Sequence, residues 1–176
     1  EKERKMSWIF MDEQESTRLQ KQQMEKRLFF WDREPMRFSD WMWDGTIHPA
    51  KLLVFYEEAR FRILENYQEY CKGLGDPGEI GQILGRIRFV VTRIVTDHRD
   101  KNPPVYTKQK ELLIRTRMII QPVPVMEFHQ CAKGQETTTT VSTALIDEKG
   151  QMIRKWDEKI YNSMLLFVNE KGREVE

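Results

Sequence analysis

The clearest periodic segment of the chain runs from Pro49 to Lys72. Its apolar residues recur at steps of three and four, which places them on one face of an α-helix. They are Leu52, Phe55, Tyr56, Ala59, Ile63, Tyr67 and Cys71. Pro49 suits the first position of a helix, and His48 or Thr46 precedes it as a candidate cap. The pattern therefore predicts one long helix with a single buried face, ending at Gly73.

Downstream of this helix the hydrophobic period changes from about 3.6 to two, the period of a half-buried β-strand. Apolar residues, many of them β-branched, alternate with polar ones in successive segments that turn residues separate. The predicted strands are Arg88–Thr96, Glu111–Ile120, Val125–Ala132, Thr137–Ile146 and Met152–Trp156. One long helix followed by antiparallel strands predicts an α+β fold, with the helix across one face of the sheet.

The first part of the chain is highly charged and poor in β-branched residues. Sparse apolar positions between Asp12 and Leu28 predict a solvated or partner-bound helix. We therefore divide the chain into a charged, aromatic-rich N-terminal extension over residues 1–34, a folded domain over 35–168 and a polar tail over 169–176.

Aromatic residues are concentrated in and just after this extension. Large, stiff aromatic side chains are typical anchors of buried interfaces. The candidate interaction residues are Trp8, Phe10, Phe29, Phe30, Trp31, Trp41 and Trp43. Two interpretations stay open: these side chains form a small local core under the extension, or they form a docking surface for another protein.

The charge balance bounds the class of partner. The 176 residues carry 29 Lys and Arg against 28 Asp and Glu, so a general polyanion binder is not expected. Basic residues are nevertheless frequent along two of the predicted strands, where they predict local contact with phosphates of RNA or of coenzyme A. They are Arg86, Arg88, Arg93, Arg99, Lys108, Lys110, Arg115 and Arg117. The alternative is a solvated outer face of the sheet.

Cysteine and histidine spacing gives no sign of a metal or redox site. Cys71 and Cys131 are far apart, and we expect both to be reduced thiols. His98 and His129 lack partners at ligand spacing, so no metal is expected, and no cofactor either. No apolar run reaches the roughly 18 residues of a membrane span.

The start of the chain bears on its location. Because the chain begins at Glu1 rather than Met, loss of an organelle presequence is one expectation. That expectation places the protein in the mitochondrial matrix. The cytoplasm is the alternative.

The stretch RFSDWMWDGTIHPAKLLVFYEEAR, from Arg37 to Arg60, resembles the start of the central helix in hotdog-fold acyl-CoA thioesterases of the 4-hydroxybenzoyl-CoA thioesterase type. That family reads Arg-aromatic-x-Asp-x-Asp-x-x-Gly-His-x-Asn-Asn before a helix that ends in Phe-Glu-Glu-Ala-Arg. The strand over 106–118 and the hairpin over 140–154 are similar to later parts of the family. The resemblance covers about residues 36–160. It implies a hotdog fold, an antiparallel sheet wrapped around one long central helix, here with an N-terminal helical extension.

The resemblance also implies where chemistry takes place in such a protein. Two protomers pair, and the thioester carbonyl lies near backbone N–H groups at the helix start. A carboxylate of the preceding loop attacks the thioester or activates water. On this chain Asp40 matches the first Asp of the pattern, and Met42 matches the second, reactive Asp. Because a thioether takes no proton at neutral pH and Pro49 has no N–H, the resemblance predicts a site that has lost its usual chemistry.

The remaining positions of the pattern give candidate binding residues. Gly45 matches the glycine, Thr46 the histidine, and His48-Pro49 the Asn pair. If an acyl tunnel persists, we expect four residues to bind substrate. They are Gly45, Thr46, Ile47 and Tyr56.

No catalytic residue is expected, but three side chains are fallback candidates. Asp44 and Asp40 are candidate bases or nucleophiles, and His48 is a candidate base. For Asp44 and His48 the alternative role is to cap the helix. The adjacent Glu57 and Glu58 are expected to form salt bridges on the helix surface rather than a catalytic pair.

Three functions are compatible with this sequence, and the sequence favours the first; the other two are alternatives. The first is a non-catalytic, thioesterase-like structural or assembly subunit of a larger complex, with a mitochondrial ribosomal complex as one candidate. Its partners would be other protein subunits or a second hotdog protomer. The second is an active acyl-CoA thioesterase, and the third is a module that binds acyl-CoA or an acyl carrier without hydrolysis. Coenzyme A enters each of the last two only as part of the substrate or ligand.

Overall fold

The computed structural model describes residues 10–73, 77–106 and 110–174. Trp8 and Lys108, named above, lie outside this part of the chain. The helices are α1 (Glu13–Glu25), α2 (Pro49–Lys72), α3 (Pro77–Leu84) and α4 (Glu158–Lys171), and a 3-10 turn spans Phe38–Asp40. The strands are β1 (Leu28–Pro35), β2 (Arg88–Asp97), β3 (Glu111–Ile120), β4 (Val125–Ala132), β5 (Thr138–Ile146) and β6 (Arg173–Glu174).

The strands form one sheet in the order β2-β5-β4-β3-β1-β6, and every neighbouring pair is antiparallel. The long helix α2 packs on one face of this sheet, so the predicted α+β arrangement is confirmed. Burial alternates along β3, β4 and β5 because successive side chains of a strand point to opposite faces.

The core consists of two clusters that lie along α2. The larger one joins the C-terminal half of α2 to α3, α4 and the inner face of the sheet. The smaller one surrounds the N-terminal half of α2 and contains Phe55, Tyr56, Leu112, Ile114 and Ala132. The helix begins as predicted, with Pro49 as its first residue and the Nδ1 atom of His48 accepting the Ala50 N–H at 3.2 Å. Gly73 caps its end.

The strand β1 lies in the segment that the sequence division assigned to the extension. The predicted helix from Asp12 to Leu28 ends at Glu25, and residues 28–35 pair with β3 on one side and β6 on the other. Phe30 stacks on Phe167 of α4 with ring centroids 5.3 Å apart. These residues therefore belong to the sheet, where Leu28 is buried in the larger core cluster and Phe30 packs against it.

The C-terminal helix α4 has no counterpart among the predicted elements. Asp157 caps it by accepting the Ile160 N–H at 3.1 Å, and its apolar face packs into the larger cluster. The predicted strand over Met152–Trp156 is wrong, since only an isolated bridge joins Met152 to β5. Trp156 is instead buried, and its indole N–H donates to the carbonyls of Gln121 and Val123.

Gln23 of α1 completes the sheet where β1 falls short. The ladder between β1 and β3 reaches only as far as Thr116, which leaves backbone groups further along β3 without a strand beside them. The side-chain amide of Gln23 is buried and takes that place, donating to the Met118 carbonyl at 3.1 Å and accepting from the Ile120 N–H at 3.2 Å. This double hydrogen bond ties the extension to the domain.

We expect Gln23→Ala to lower the free energy of unfolding by about 2 kcal/mol, because a buried N–H and a buried carbonyl each lose their partner. Urea unfolding followed by circular dichroism measures the loss. Gln22→Ala is the matched control, since Gln22 is the neighbouring exposed residue of the same helix. Equal stability of the two variants would contradict the assigned role of Gln23.

Candidate functional site

A cavity of about 380 Å³ lies at the N-terminal end of α2. Three parts of the chain enclose it: the loop before α2, the end of β2 and the hairpin between β4 and β5. The lining residues are Met42, Thr46, Ile47, Pro49, Leu52, Leu53, Thr96, His98, Asp100, Pro103, Gln135, Thr137 and Thr139. Two of the four predicted binding residues, Thr46 and Ile47, therefore reach the cavity.

The other two predicted binding residues support the site from behind. Gly45 is buried, its N–H donates to the Met42 carbonyl at 2.9 Å, and its own carbonyl accepts the Tyr106 N–H at 2.8 Å. Its φ of 85° lies in the left-handed region that favours glycine. The Tyr56 hydroxyl oxygen is buried and accepts the Ala132 N–H at 3.1 Å, so Tyr56 joins α2 to the sheet.

Asp40 holds the loop rather than facing the cavity. Its side chain is buried, and one carboxylate oxygen accepts the Arg37 N–H at 2.6 Å. Its carbonyl accepts the His48 N–H at 3.1 Å. Lys51 lies 3.9 Å from the second carboxylate oxygen. The carboxylate of Asp40 therefore stabilises the fold of the loop and has no free path to a ligand.

Asp44 sits on the exposed tip of the same loop. One carboxylate oxygen accepts from the Thr46 hydroxyl at 2.7 Å and from the Thr46 N–H at 3.0 Å. These hydrogen bonds lower the pKa of Asp44, so it stays ionised, as a base must. The residue is nevertheless fully exposed and does not line the cavity. Asp44 therefore closes a turn.

His48 and Pro49 decide which backbone N–H groups α2 offers to a ligand. Pro49 has no N–H, Ala50 donates to the His48 side chain, and Leu52 donates to the His48 carbonyl at 3.0 Å. Within the described residues, Lys51 alone keeps a backbone N–H without an acceptor in this first turn. One donor remains where an oxyanion-binding site uses two.

Sequence reasoning did not select His98, Asp100 or Gln135 as site residues. Asp100 accepts the N–H groups of Glu136 at 2.9 Å and Thr137 at 2.8 Å, which lowers its pKa and fixes the hairpin wall. His98 lies at the exposed edge of the cavity, and the buried Oε1 of Gln135 has no partner in the part of the chain that the structure describes. No short spacing links these residues to the loop before α2, so the sequence carried no signal for them.

The aromatic residues proposed for docking differ in how far they are buried. Phe29 lies under the Arg115 guanidinium at 4.6 Å, and Trp41 is half-buried in the smaller core cluster. Trp43 is 95% exposed at the loop tip. Phe10 and Trp31 are also exposed.

A larger groove, of about 1000 Å³, lies at the opposite end of α2 from the cavity. Phe29, Phe30 and Trp31 line it on the side of β1. This groove contains none of the residues that the family resemblance assigns to the thioester site. The cavity at the helix start is therefore the better candidate.

The basic residues are likewise divided between structural and exposed positions. Arg117 donates to the carbonyls of Met24 and Lys26, where it caps the end of α1. Arg99 pairs with the neighbouring Asp97 at 2.8 Å. Arg88 and Arg93 are exposed on β2. Contact of these residues with RNA stays a prediction.

Within the described ranges the protein has neither a metal-binding cluster of side chains nor a helix that could span a membrane. In residues 10–73, 77–106 and 110–174, no group of three His, Cys, Asp or Glu side chains is arranged to hold a metal ion. None of the helices within these ranges is long and apolar enough to cross a bilayer. Cys71 and Cys131 are both buried free thiols.

Comparison with known proteins gives structural matches only. No family model matches the chain, and no curated protein sequence matches it. The probable thioesterase YbaW of Escherichia coli is 18% identical, with 78% of this chain and 98% of that chain covered and a TM-score of 0.55. The Staphylococcus aureus protein SAV2348, solved in complex with CoA, is 8% identical, with 86% and 90% covered and a TM-score of 0.55. The 12:0-ACP thioesterase of Umbellularia californica is 11% identical, with 84% and 59% covered and a TM-score of 0.59.

These matches confirm the predicted likeness to hotdog-fold thioesterases, and the fold of this chain is the hotdog fold. At such identities the likeness establishes the fold alone. A ribosomal role, a mitochondrial location and a dimeric state stay predictions.

We expect Gly45→Ala to lower the free energy of unfolding by about 1–2 kcal/mol, because an L side chain is strained at this positive φ. Thermal unfolding followed by circular dichroism measures the shift. Gly81→Ala is the control. Gly81 lies in a helix and has open space where a Cβ would stand, so alanine at this position should raise the stability of the protein slightly. A Gly45 variant as stable as the Gly81 variant would show that the loop does not need this backbone geometry.

Proposed function

We propose that this protein binds an acyl thioester, of coenzyme A or of an acyl carrier, at the N-terminal end of α2 without hydrolysing it through a loop carboxylate. The observation that carries this proposal is Met42, which lines the cavity at the position where the resembled family has its reactive Asp. The cavity persists, while the neighbouring Asp40 and Asp44 are held in hydrogen bonds of the loop. The carboxylate that does line the cavity, Asp100, accepts two backbone N–H groups, so the cavity persists without a free base at the family's reactive position, which favours binding over turnover.

Two further features support binding rather than hydrolysis. Counting acceptors in the described part of the chain, the first turn of α2 keeps a single free backbone N–H, at Lys51, which weakens stabilisation of an oxyanion. The complex of SAV2348 with CoA provides a protein of the same fold that holds this carrier. A role in a larger assembly is a separate prediction. The features above neither support it nor oppose it.

We also propose that the binding unit is a pair of chains joined along β2. This ten-residue strand is at the edge of the sheet, so one side of its backbone has no strand beside it among the described residues. Val90, Val91, Ile94 and Val95 are exposed on it, and Leu53, Val54 and Phe61 are exposed on the adjacent face of α2. A long apolar edge strand of this kind pairs with another strand. A second copy of this chain provides such a strand, with the same exposed apolar side chains.

We expect light scattering after size exclusion to give twice the 21.2 kDa mass of one chain. Ile94→Lys should reduce this mass to that of a monomer, because a charge enters the apolar edge. Val123→Lys is the control, since Val123 is equally exposed but lies in the turn between β3 and β4. A monomeric wild-type protein, or dissociation by both substitutions, would contradict the proposed interface.

Hydrolysis by a different base is the second candidate function, and the position of His98 favours it. His98 is at the edge of the same cavity, and histidine is a common general base in enzymes that work near neutral pH. Asp100, two residues further on, is already occupied by two backbone N–H groups.

We expect purified protein to bind acyl-CoA thioesters in calorimetry and to leave them intact when free thiol is assayed over a panel of short, long and aromatic acyl groups. Asp44→Asn and His98→Gln are measured alongside. Turnover that disappears in Asp44→Asn would refute the proposal and establish the loop carboxylate as the base. Turnover lost only in His98→Gln would establish the second candidate. Absence of both binding and turnover would rule out a thioester function.

A further inference from the structure

The register of β2 against β5 reveals an open trough beside α2. Thr96, Ile94 and Val91 of β2 lie opposite Thr139, Val141 and Thr143 of β5, so each pair shares the face that α2 covers. The β5 residues are buried, whereas Val91 is 46% and Ile94 is 49% exposed. The helix therefore covers β5 and leaves the inner face of β2 open.

Cavities occupy both ends of this trough. The cavity of about 380 Å³ at the start of α2 reaches Leu53, Thr96 and Thr139. A second cavity of about 250 Å³ at the other end is lined by Phe61, Leu64 and Phe89, among others. The trough thus runs along α2 from the candidate thioester site toward the middle of the helix.

Arg60 lies on α2 between the helix residues that line these two cavities. It follows Leu53 by seven residues and precedes Leu64 by four, spacings that put all three on one stripe of α2. Only 8% of Arg60 is exposed, and its Nη1 atom donates to the Oε1 atom of Gln130 at 2.8 Å. The guanidinium is therefore held in place by the sheet below it.

The amide of Gln130 is oriented for this contact. Its Nε2 atom donates to the Tyr56 carbonyl at 2.9 Å and to the Thr116 hydroxyl at 3.1 Å, which leaves Oε1 to accept from Arg60. Gln130 and Thr116 are fully buried and lie on the same face as Thr139. A polar row therefore crosses the sheet from the cavity to the guanidinium.

Arg60 carries a charge that no carboxylate of the described residues neutralises at ion-pair distance. Glu57, on the neighbouring turn, acts on it electrostatically, and no salt bridge to Arg60 forms. Its other nitrogens have no hydrogen-bond partner in the described part of the chain, yet they are not fully enclosed either. By contrast, Arg62 on the next face of α2 pairs with Asp32 and Glu34. A buried, permanently charged group with free donors is suited to an anion from outside the chain.

We propose that the trough holds the acyl chain of the thioester and that Arg60 binds a carboxylate at the end of that chain. The ligand class is then an ω-carboxyacyl thioester. This inference rests on the proposed binding function. Eight residues of helix separate Leu52 at the cavity from Arg60, a rise of about 12 Å between their backbones. The guanidinium itself is held nearer, at Gln130, whose sheet partner Thr139 lines the cavity, so this rise is an upper limit and suits an acyl chain of short to medium length. The planar guanidinium matches a carboxylate better than it matches the hydroxyl or methyl end of a chain.

The test compares two probes of equal chain length, octanoyl-CoA and its ω-carboxylated counterpart suberoyl-CoA, by calorimetry at moderate salt. We expect the wild-type protein to bind suberoyl-CoA about tenfold more tightly, because the carboxylate gains charge-assisted hydrogen bonds. Arg60→Met should abolish this preference while retaining octanoyl-CoA. Arg154→Met, at an exposed arginine remote from the trough, is the matched control and should keep the preference.

Each outcome decides one question. Equal binding of the two probes by the wild-type protein overturns the role of Arg60 and leaves the proposed function standing, even where Arg60→Met does not fold. Failure of both probes to bind overturns the proposed function and this inference with it. A weakened dimer in Arg60→Met with an unchanged preference would show that a carboxylate of the second copy, and not the ligand, neutralises Arg60.

Discussion

The packing of α2 on the sheet is the interaction on which the rest of this structure depends. Its buried face joins both core clusters, so the sheet, α3 and α4 all take their positions from one helix. The sheet has six strands and is wider than the helix that packs on it, and the edge strand β2 is exposed along most of its length. The trough and the exposed apolar edge both follow from this uncovered strand.

The start of α2 shows a competition between folding and chemistry for the same polar atoms. A helix start needs acceptors for its first N–H groups, and a thioesterase site needs those N–H groups free. Here His48 takes the Ala50 N–H, and Pro49 has none to offer. The carboxylate oxygens of Asp40 and Asp44 accept hydrogen bonds from backbone N–H groups of the loop. Each of these hydrogen bonds stabilises the loop, and each occupies a polar atom that could otherwise meet a ligand.

The sequence was most informative where one local pattern had one physical solution. The stripe along α2, its proline at the first position and its glycine cap specified the helix to the residue. β1 was harder to predict from the sequence, because its residue Phe30 packs on Phe167 of α4, an element distant in sequence. α4 was itself missed because its short apolar stripe becomes meaningful only against the sheet. His98 and Gln135 could not be assigned to the site, because only the register of β2, β5 and β4 brings them to the loop before α2.

Two arginines on α2, one exposed and one buried, show how a charge can be assigned to a structural or a binding role. Arg62 meets Asp32 and Glu34 of β1, and this ion pair is complete within the chain. Burial raises the pKa of Glu34 to about 8, so this pair already carries a desolvation penalty for holding β1 against the helix. Among the described residues, Arg60, two positions away, meets only the neutral amide of Gln130. A guanidinium gains little net stability from one neutral acceptor in a buried place, so folding alone does not account for the charge. The ω-carboxylate that we propose on the open side of α2, next to the cavity, would give this charge a role.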